Sequence, residues 1–314
     1  MRIAVMGTGA VGGYFGAKLA AAGHELVFIA RGKQLDAVRR NGLRIDSPNG
    51  NLYASGSLFT SNPAEFGTVD LVLFCVKSYD TEPAAEALAP LIGHATAILS
   101  LQNGVDNPEK IARLWGAERT FAAVVYIGAQ VAAQGRIRHS SGGKVVFGQL
   151  GGDGGTTAEL IKKTFSTAGI NCAISENIEK IQWAKLLWNA PFCAISSLSR
   201  ADTKQILESD ALTKLAIECM AEVKAAALTR GIDLPRALFD ETIAFSRGLG
   251  AFKPSMLQDL EAGKPLEYEA FNGIVVNIIR QAGKAAPVNE CFYALLQQLD
   301  KKSREEATHK NDNS

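Results

Sequence analysis

Lys185, Asn189 and Cys193 recur every four residues in the stretch KIQWAKLLWNAPFC, so a helix there places them on one face. Trp183, Leu186, Leu187 and Trp188 lie among them. An ammonium group in such company is costly to desolvate unless it has a partner or a task. Partial desolvation also lowers a lysine's pKa and makes it a usable proton donor near neutral pH. A lysine snorkelling from an amphipathic helix would satisfy the same pattern. Pro191 removes one intrahelical hydrogen bond, and a bend is expected there.

Other polar residues stand out against apolar surroundings. Ser255, in KPSMLQD, is expected to cap the helix it begins, or to offer its hydroxyl and nearby N–H groups to a carboxylate. Glu267 opens EYEAFNGIVVNII, an expected helix whose dipole suits an acid at its start. Asn103 lies in LQNGVDN (101–107), directly after the apolar run TAILS. Asn-Gly is ordinarily a turn, but in parallel α/β sheets ligands bind beyond the carboxyl ends of strands.

The clearest chemistry is at the start. Gly7-Thr8-Gly9-Ala10-Val11-Gly12 is a G-x-G-x-x-G turn between the apolar strand RIAVM and a small-residue helix, with a second strand, ELVFIA, close behind. In that frame Gly7 permits the tight turn, Gly9 lets a pyrophosphate approach the backbone, and Gly12 lets helix pack on strand. The helix N-terminus supplies N–H donors to the phosphates. A dinucleotide is the expected ligand. After the second strand an NAD site places an acid for the ribose 2′-hydroxyl. Here Arg31-Gly32-Lys33 follows instead. Arg31 can bind a 2′-phosphate bidentately, so NADPH is the expected cofactor. Lys77, after the apolar strand LVLFCV, either helps to hold the cofactor or is a surface lysine.

These residues need particular elements to position them. The first half alternates apolar strands (RIAVM, ELVFIA, LVLFCV at 71–76, TAILSL) with helices (AVGGYFGAKLAAAG, KQLDAVRRNG ending at Gly42, and one through TEPAAEALAPLI). Such strands imply a parallel sheet covered on both faces. FAAVVYIGAQV and GRIRHSSGGKVVFGQL read as later, partly antiparallel strands. Beyond NCAISENI the spacing is helical throughout. The expected domains are therefore 1–175, 176–302, and a solvated, disordered tail over 303–314.

The 314 residues are 47% hydrophobic with net charge +1, so no strong field points to nucleic acid or a membrane. The five cysteines are widely spaced, without CxxC, and the four histidines are scattered. A metal site is not expected, and reduced thiols of a cytoplasmic protein are. No signal peptide is read at the N-terminus. The helices of the second half could form a homodimer face or simply build its core.

Taken together, GTGAVGGYFG, ARG after the second strand, VKSYDT, LQNGVDN, WAKLLWN and PSMLQDLEAGKPLEYEAFNG, in this order, resemble the ketopantoate reductase (2-dehydropantoate 2-reductase) family from Arg2 to about Leu299. The resemblance implies an α/β fold: an N-terminal Rossmann-type doubly wound sheet, then an all-helical C-terminal domain of the 6-phosphogluconate dehydrogenase type, with the site in the cleft between them. It implies NADPH-dependent reduction of ketopantoate to pantoate. Lys185 and Glu267 become the catalytic pair, and Asn103, Asn189, Cys193 and Ser255 the substrate contacts. Asn103 and Glu267 join Gly7 to Gly12, Arg31 and Lys77 around the cofactor. Two positions depart from the family pattern. Cys193 stands where a second helix asparagine is found, and Phe252 where a polar residue is found shortly before the serine. Both make the pocket more apolar, so reduction of another branched or aromatic 2-oxo acid is the alternative. A dinucleotide-binding protein without turnover is a third reading, which the presence of both Lys185 and Glu267 opposes.

Overall fold

A computed structural model describes residues 1–54 and 56–312, with side chains to residue 306. It divides into two units, Met1–Ile178 and Glu179–Ser314.

Alternating side-chain direction explains the first unit. In β1 (Arg2–Met6), Ile3 and Val5 join a core with Phe15, Phe28 and Leu73, while Ala4 and Met6 join a separate core with Val27, Val72 and Phe74. A strand apolar at both parities must be covered on both faces. The chain continues through α1 (Ala10–Ala21), β2 (Glu25–Ile29), α2 (Gly32–Asn41), β3 (Leu43–Asp46), β4 (Leu52–Ala54), β5 (Leu58–Thr60), β6 (Val69–Phe74), α3 (Thr81–Glu86), β7 (Ile92–Ser100) and α4 (Asn107–Trp115). It ends with β8 (Thr120–Ala133), β9 (Arg136–Gln149), α5 (Gly155–Thr167) and β10 (Cys172–Ile174).

The sheet order is β4-β3-β9-β8-β7-β6-β1-β2-β5, with β10 beside β9. The run from β5 to β8 is parallel throughout. The chain places β2 and β5 on one side of β1 and then reverses to place β6, β7 and β8 on the other, while β3 and β4 join the far end beside β9. That reversal opens a crevice at the carboxyl ends of β1 and β6, where doubly wound sheets bind ligands. β8 and β9 pair antiparallel, as their composition suggested.

One local expectation is corrected. TEPAAEALAPLI is not one helix: α3 stops at Glu86 and a 3-10 turn covers Ala89–Leu91. Pro90 has no N–H to give the Glu86 carbonyl four residues back, so the α-helix does not run on through it. The short strands β3, β4 and β5 carry no sequence signal. They are three or four residues long, too short to show a period.

The second unit is helical: α6 (Ile178–Ser199), α7 (Thr203–Glu208), α8 (Asp210–Thr229), α9 (Ala237–Gly248), α10 (Ser255–Glu261), α11 (Ile274–Gln281) and α12 (Pro287–Asp312). α6 carries Pro191 within one continuous helix. A π-helical segment, Glu269–Gly273, leads directly into α11, with the Ile274 N–H donating to the Glu269 carbonyl five residues back. α12 extends to Asp312, which corrects the expected tail over residues 303–312; residues 313–314 lie outside the described chain. Lys, Arg, Glu and Ala in that stretch favour helix, and Arg304 pairs with Asp300 one turn earlier at 2.8 Å.

Candidate active site

The glycine turn leaves β1 at its carboxyl end. Gly7 has φ +101°, and a Cβ there would lie 2.8 Å from the Val76 nitrogen. A Cβ on Gly12 would lie 2.2 Å from the Gly7 oxygen and 2.9 Å from the Cys75 Cβ. Gly9 differs: a Cβ there would meet no atom within 4 Å. It is the N-cap of α1, and no side chain caps that helix. Two glycines are thus required by the protein's own packing, while the third faces open space beside uncapped N–H groups. That is the arrangement a pyrophosphate needs, so these residues fit a dinucleotide. Thr8 is buried, its hydroxyl donating to the Ile29 carbonyl at 3.0 Å, which ties the turn to the end of β2. Ala10 and Val11 pack against the core below.

Arg31 follows β2 and is the N-cap residue of α2. Its guanidinium donates to the Asp80 carboxylate at 2.8 Å. Lys77 begins the turn after β6 and caps the 3-10 segment Ser78–Asp80. Asn103 is part-buried after β7 in a loop held by a buried chain of hydrogen bonds. Ser100 donates to the side-chain amide oxygen of Gln102 at 3.0 Å, and the Gln102 side-chain NH2 donates to the Thr81 hydroxyl at 2.8 Å and to the Val76 carbonyl at 3.1 Å. Thr81 donates to Asn107 at 2.9 Å, and Asn107 donates to the Asn103 carbonyl at 2.7 Å. The Asn-Gly turn is therefore fixed to the carboxyl end of β6, as a ligand-contacting loop on a rigid scaffold would be.

On α6, Asn189 and Cys193 are buried and Lys185 is part-buried. Burial pushes the Lys185 ammonium down to about 8, against the opposing influence of Cys193 and the Glu267 carboxylate. A lysine poised there exchanges protons readily near neutral pH. Trp188 stacks on Phe192, with Phe252 tilted against it at 6.2 Å between centroids. Phe252 thus joins an aromatic cluster next to the polar stripe. Its segment is tied to α7 by Thr203, whose N–H donates to the Phe252 carbonyl at 3.0 Å.

Glu267 is only 5% exposed, although it lies before the π segment rather than inside a helix. The backbone just ahead of it is anchored by buried Asp300, which accepts from the Leu266 N–H at 2.9 Å. Ser255 is the first residue of α10, with Pro254 as N-cap, and no side chain caps the helix from that position. This corrects the capping expectation: with Pro254 at the cap, Ser255 is already inside the helix. The structure brings Lys185, Asn189, Cys193 and Glu267 together within the second unit. It sets the glycine turn, Arg31, Lys77 and Asn103 along the carboxyl ends of β1, β2, β6 and β7 in the first.

The family model described as Ketopantoate reductase PanE/ApbA matches residues 3–152, and that described as Ketopantoate reductase PanE/ApbA C terminal matches residues 177–300. The chain belongs to the ketopantoate reductase family. Ketopantoate reductase relatives resemble it along nearly their whole length. It is 32% identical to a 2-dehydropantoate 2-reductase of Mesorhizobium japonicum, over 95% of this chain and 98% of the relative. It is 32% identical to the crystal structure of a Geobacter metallireducens 2-dehydropantoate 2-reductase, with a TM-score of 0.90 over 95% of this chain and 99% of that one. A D-mandelate dehydrogenase in a ternary structure with NADH and anilino(oxo)acetate shares the fold at 21% identity and a TM-score of 0.90, covering 96% and 99%. As a ketopantoate reductase family member the chain is an oxidoreductase of the CH-OH class. Among the described residues, no His, Cys, Asp and Glu group could hold a metal ion, and no helix is long and apolar enough to cross a membrane.

Several residues that build this ketopantoate reductase site carried no sequence signal. Asn272, in the π segment, donates to the Ala190 carbonyl of α6 at 3.2 Å and to Asn289 of α12 at 2.9 Å. Asn289 in turn donates to Glu222 of α8 at 2.8 Å, and Glu222 accepts the first N–H groups of α12. This buried network pins the segment after Glu267 to the helix that carries Lys185. Asn272→Ala would leave the Ala190 and Asn289 oxygens short of a donor. A loss of about 2–4 kcal/mol in unfolding free energy is expected. Urea denaturation checks it, and a loss under 1 kcal/mol would show that the network is dispensable.

Proposed function

We propose that this chain reduces ketopantoate to pantoate with NADPH. The observation that carries the reading is Lys185, held on α6 with its pKa pushed down to about 8 and influenced by buried Glu267. When bound, the nicotinamide supplies the hydride. The chain's own groups then manage charge and position. Lys185 polarises the 2-oxo group and donates its proton to the developing alkoxide. Ser255 binds the substrate carboxylate. Asn103, Asn189 and Cys193 line the substrate, and Glu267 orients the substrate hydroxyl and the lysine. Gly7 to Gly12 hold the pyrophosphate, while Arg31 and Lys77 favour the 2′-phosphorylated cofactor. The reading places the enzyme in the cytoplasm, in keeping with five cysteines that stand free of disulfides. Exposed Leu228, Phe245 and Leu295 in the helical unit support a homodimer formed through it.

A second reading has its own support. Cys193 is fully buried in the polar stripe, and Trp188, Phe192 and Phe252 form an aromatic cluster beside it. Thiol is a poor partner for a substrate hydroxyl. A bulkier branched or aromatic 2-oxo acid would suit this lining better than ketopantoate. NADPH oxidation with ketopantoate beside a panel of 2-oxo acids separates the two. Under the first reading, kcat/KM for ketopantoate exceeds every other by at least tenfold. A higher value for phenylpyruvate or a branched-chain 2-oxo acid transfers the substrate and keeps the mechanism. Equal kcat/KM for NADPH and NADH would overturn the cofactor preference.

A further inference from the structure

Asp80 sits at the N-cap of α3, where an aspartate usually accepts hydrogen bonds from its own helix. Its carboxylate makes no such bond. It reaches instead to Arg31, 49 positions away in the chain. The guanidinium is 73% exposed and the carboxylate 33%, so the pair is hydrated and adds little to the stability of the fold.

The location gives the pair another significance. Arg31 follows β2, the strand end at which doubly wound sheets read the adenosine ribose. An acid there accepts a hydrogen bond from the 2′-hydroxyl of NADH, and a cation there donates to the 2′-phosphate of NADPH. This chain has both charges in contact. The cation comes from β2, and the acid comes from the far side of β1, beyond β6. A 2′-phosphate approaching Arg31 must compete with a carboxylate for the guanidinium, and its own negative charge is repelled by that carboxylate. A ribose 2′-hydroxyl meets neither penalty and finds an acceptor.

We propose that Asp80 sets cofactor selectivity, narrowing the preference that Arg31 confers for NADPH over NADH. The proposal rests on the reading of Arg31 as the 2′-phosphate residue. It is tested by calorimetric titration of the full chain with adenosine 2′,5′-bisphosphate and with 5′-AMP, two probes that differ only in the 2′-phosphate. Asp80→Asn keeps a good N-cap residue and removes the charge. The variant is expected to raise the bisphosphate-to-AMP affinity ratio about tenfold over the unaltered chain, and to raise the NADPH-to-NADH ratio of kcat/KM in the same sense. Arg31→Ala is expected to collapse the affinity ratio. If Arg31→Ala collapses it but Asp80→Asn leaves it within twofold, Asp80 has no selective role and the reading of Arg31 stands. If Arg31→Ala leaves it unchanged, the 2′-phosphate is not read at Arg31 and the proposal falls with that reading.

Discussion

Lys185→Met is expected to lower kcat for 2-oxo acid reduction by roughly 10²- to 10⁴-fold, with KM changed far less. Methionine fills the space of the lysine stem but carries no proton. The loss therefore falls on the step in which negative charge develops on the substrate oxygen. The parent's pH profile reports the same group. Reduction needs the protonated amine, so kcat/KM should fall tenfold per pH unit above about 8, where burial has placed the Lys185 pKa. Stability gives an independent readout. The folded-state pKa is about 8 and the ordinary value 10.5, so the unfolded chain binds more protons at this site between those values. Stability contributed by the site therefore rises with pH through that window. The difference between parent and Lys185→Met should shift toward the parent between pH 8 and 10.5, as followed by thermal melts. A variant that keeps more than a tenth of parental kcat would remove Lys185 from the mechanism.

Gly12→Val and Gly9→Ala should fail in different ways although they lie three residues apart. A Cβ on Gly12 would come within 2.2 Å of the Gly7 carbonyl and 2.9 Å of Val5 and Cys75. The carbonyl cannot retreat easily, because Gly7 has φ +101° and is itself packed against the Val76 backbone. Gly12→Val is expected to cost about 3 kcal/mol or more of stability, together with the turn and its nucleotide. Gly9→Ala meets no protein atom within 4 Å. It should melt within a degree or two of the parent yet bind NADPH at least tenfold more weakly, because the added methyl group occupies space reserved for the pyrophosphate. Thermal melts and fluorescence titration with NADPH decide both. Unimpaired NADPH binding by Gly9→Ala would mean that the pyrophosphate does not lie on this turn.

The difference between these glycines shows what local sequence reveals. A G-x-G-x-x-G turn follows from neighbouring residues, so the strand, turn and helix around Gly7 to Gly12 were readable, as was the i, i+4 stripe of Lys185, Asn189 and Cys193. The alternation of apolar strands likewise announced the parallel sheet. What escaped depends on contacts between distant residues. Asn272 is an ordinary polar residue in an expected helix until Ala190 and Asn289 are brought against it. Gln102 reads as part of a turn, but it is buried and joins β7 to Thr81. Arg31 was legible as a cation after β2, whereas its carboxylate partner comes from the other side of β1. Ser255 was displaced from the expected cap by the proline before it.

The π segment has a consequence for insertions and deletions in the gene. In an α-helix each residue advances the chain by about 100° around the axis. The five-residue Glu269 to Ile274 hydrogen bond accommodates one residue more than an α-helical turn would. Deleting a single codon between 269 and 273 would let that turn close as ordinary α-helix while preserving the apolar face of α11. Tyr268 and the buried Glu267 would keep their present directions, because the residue removed is the one the wider turn absorbs, and the change would fall on the turn that carries the Asn272 bonds to Ala190 and Asn289. A one-residue change of length is therefore absorbed locally at this point, and a frame-preserving deletion here would be felt first in the buried network around Asn272 rather than in the flanking helices.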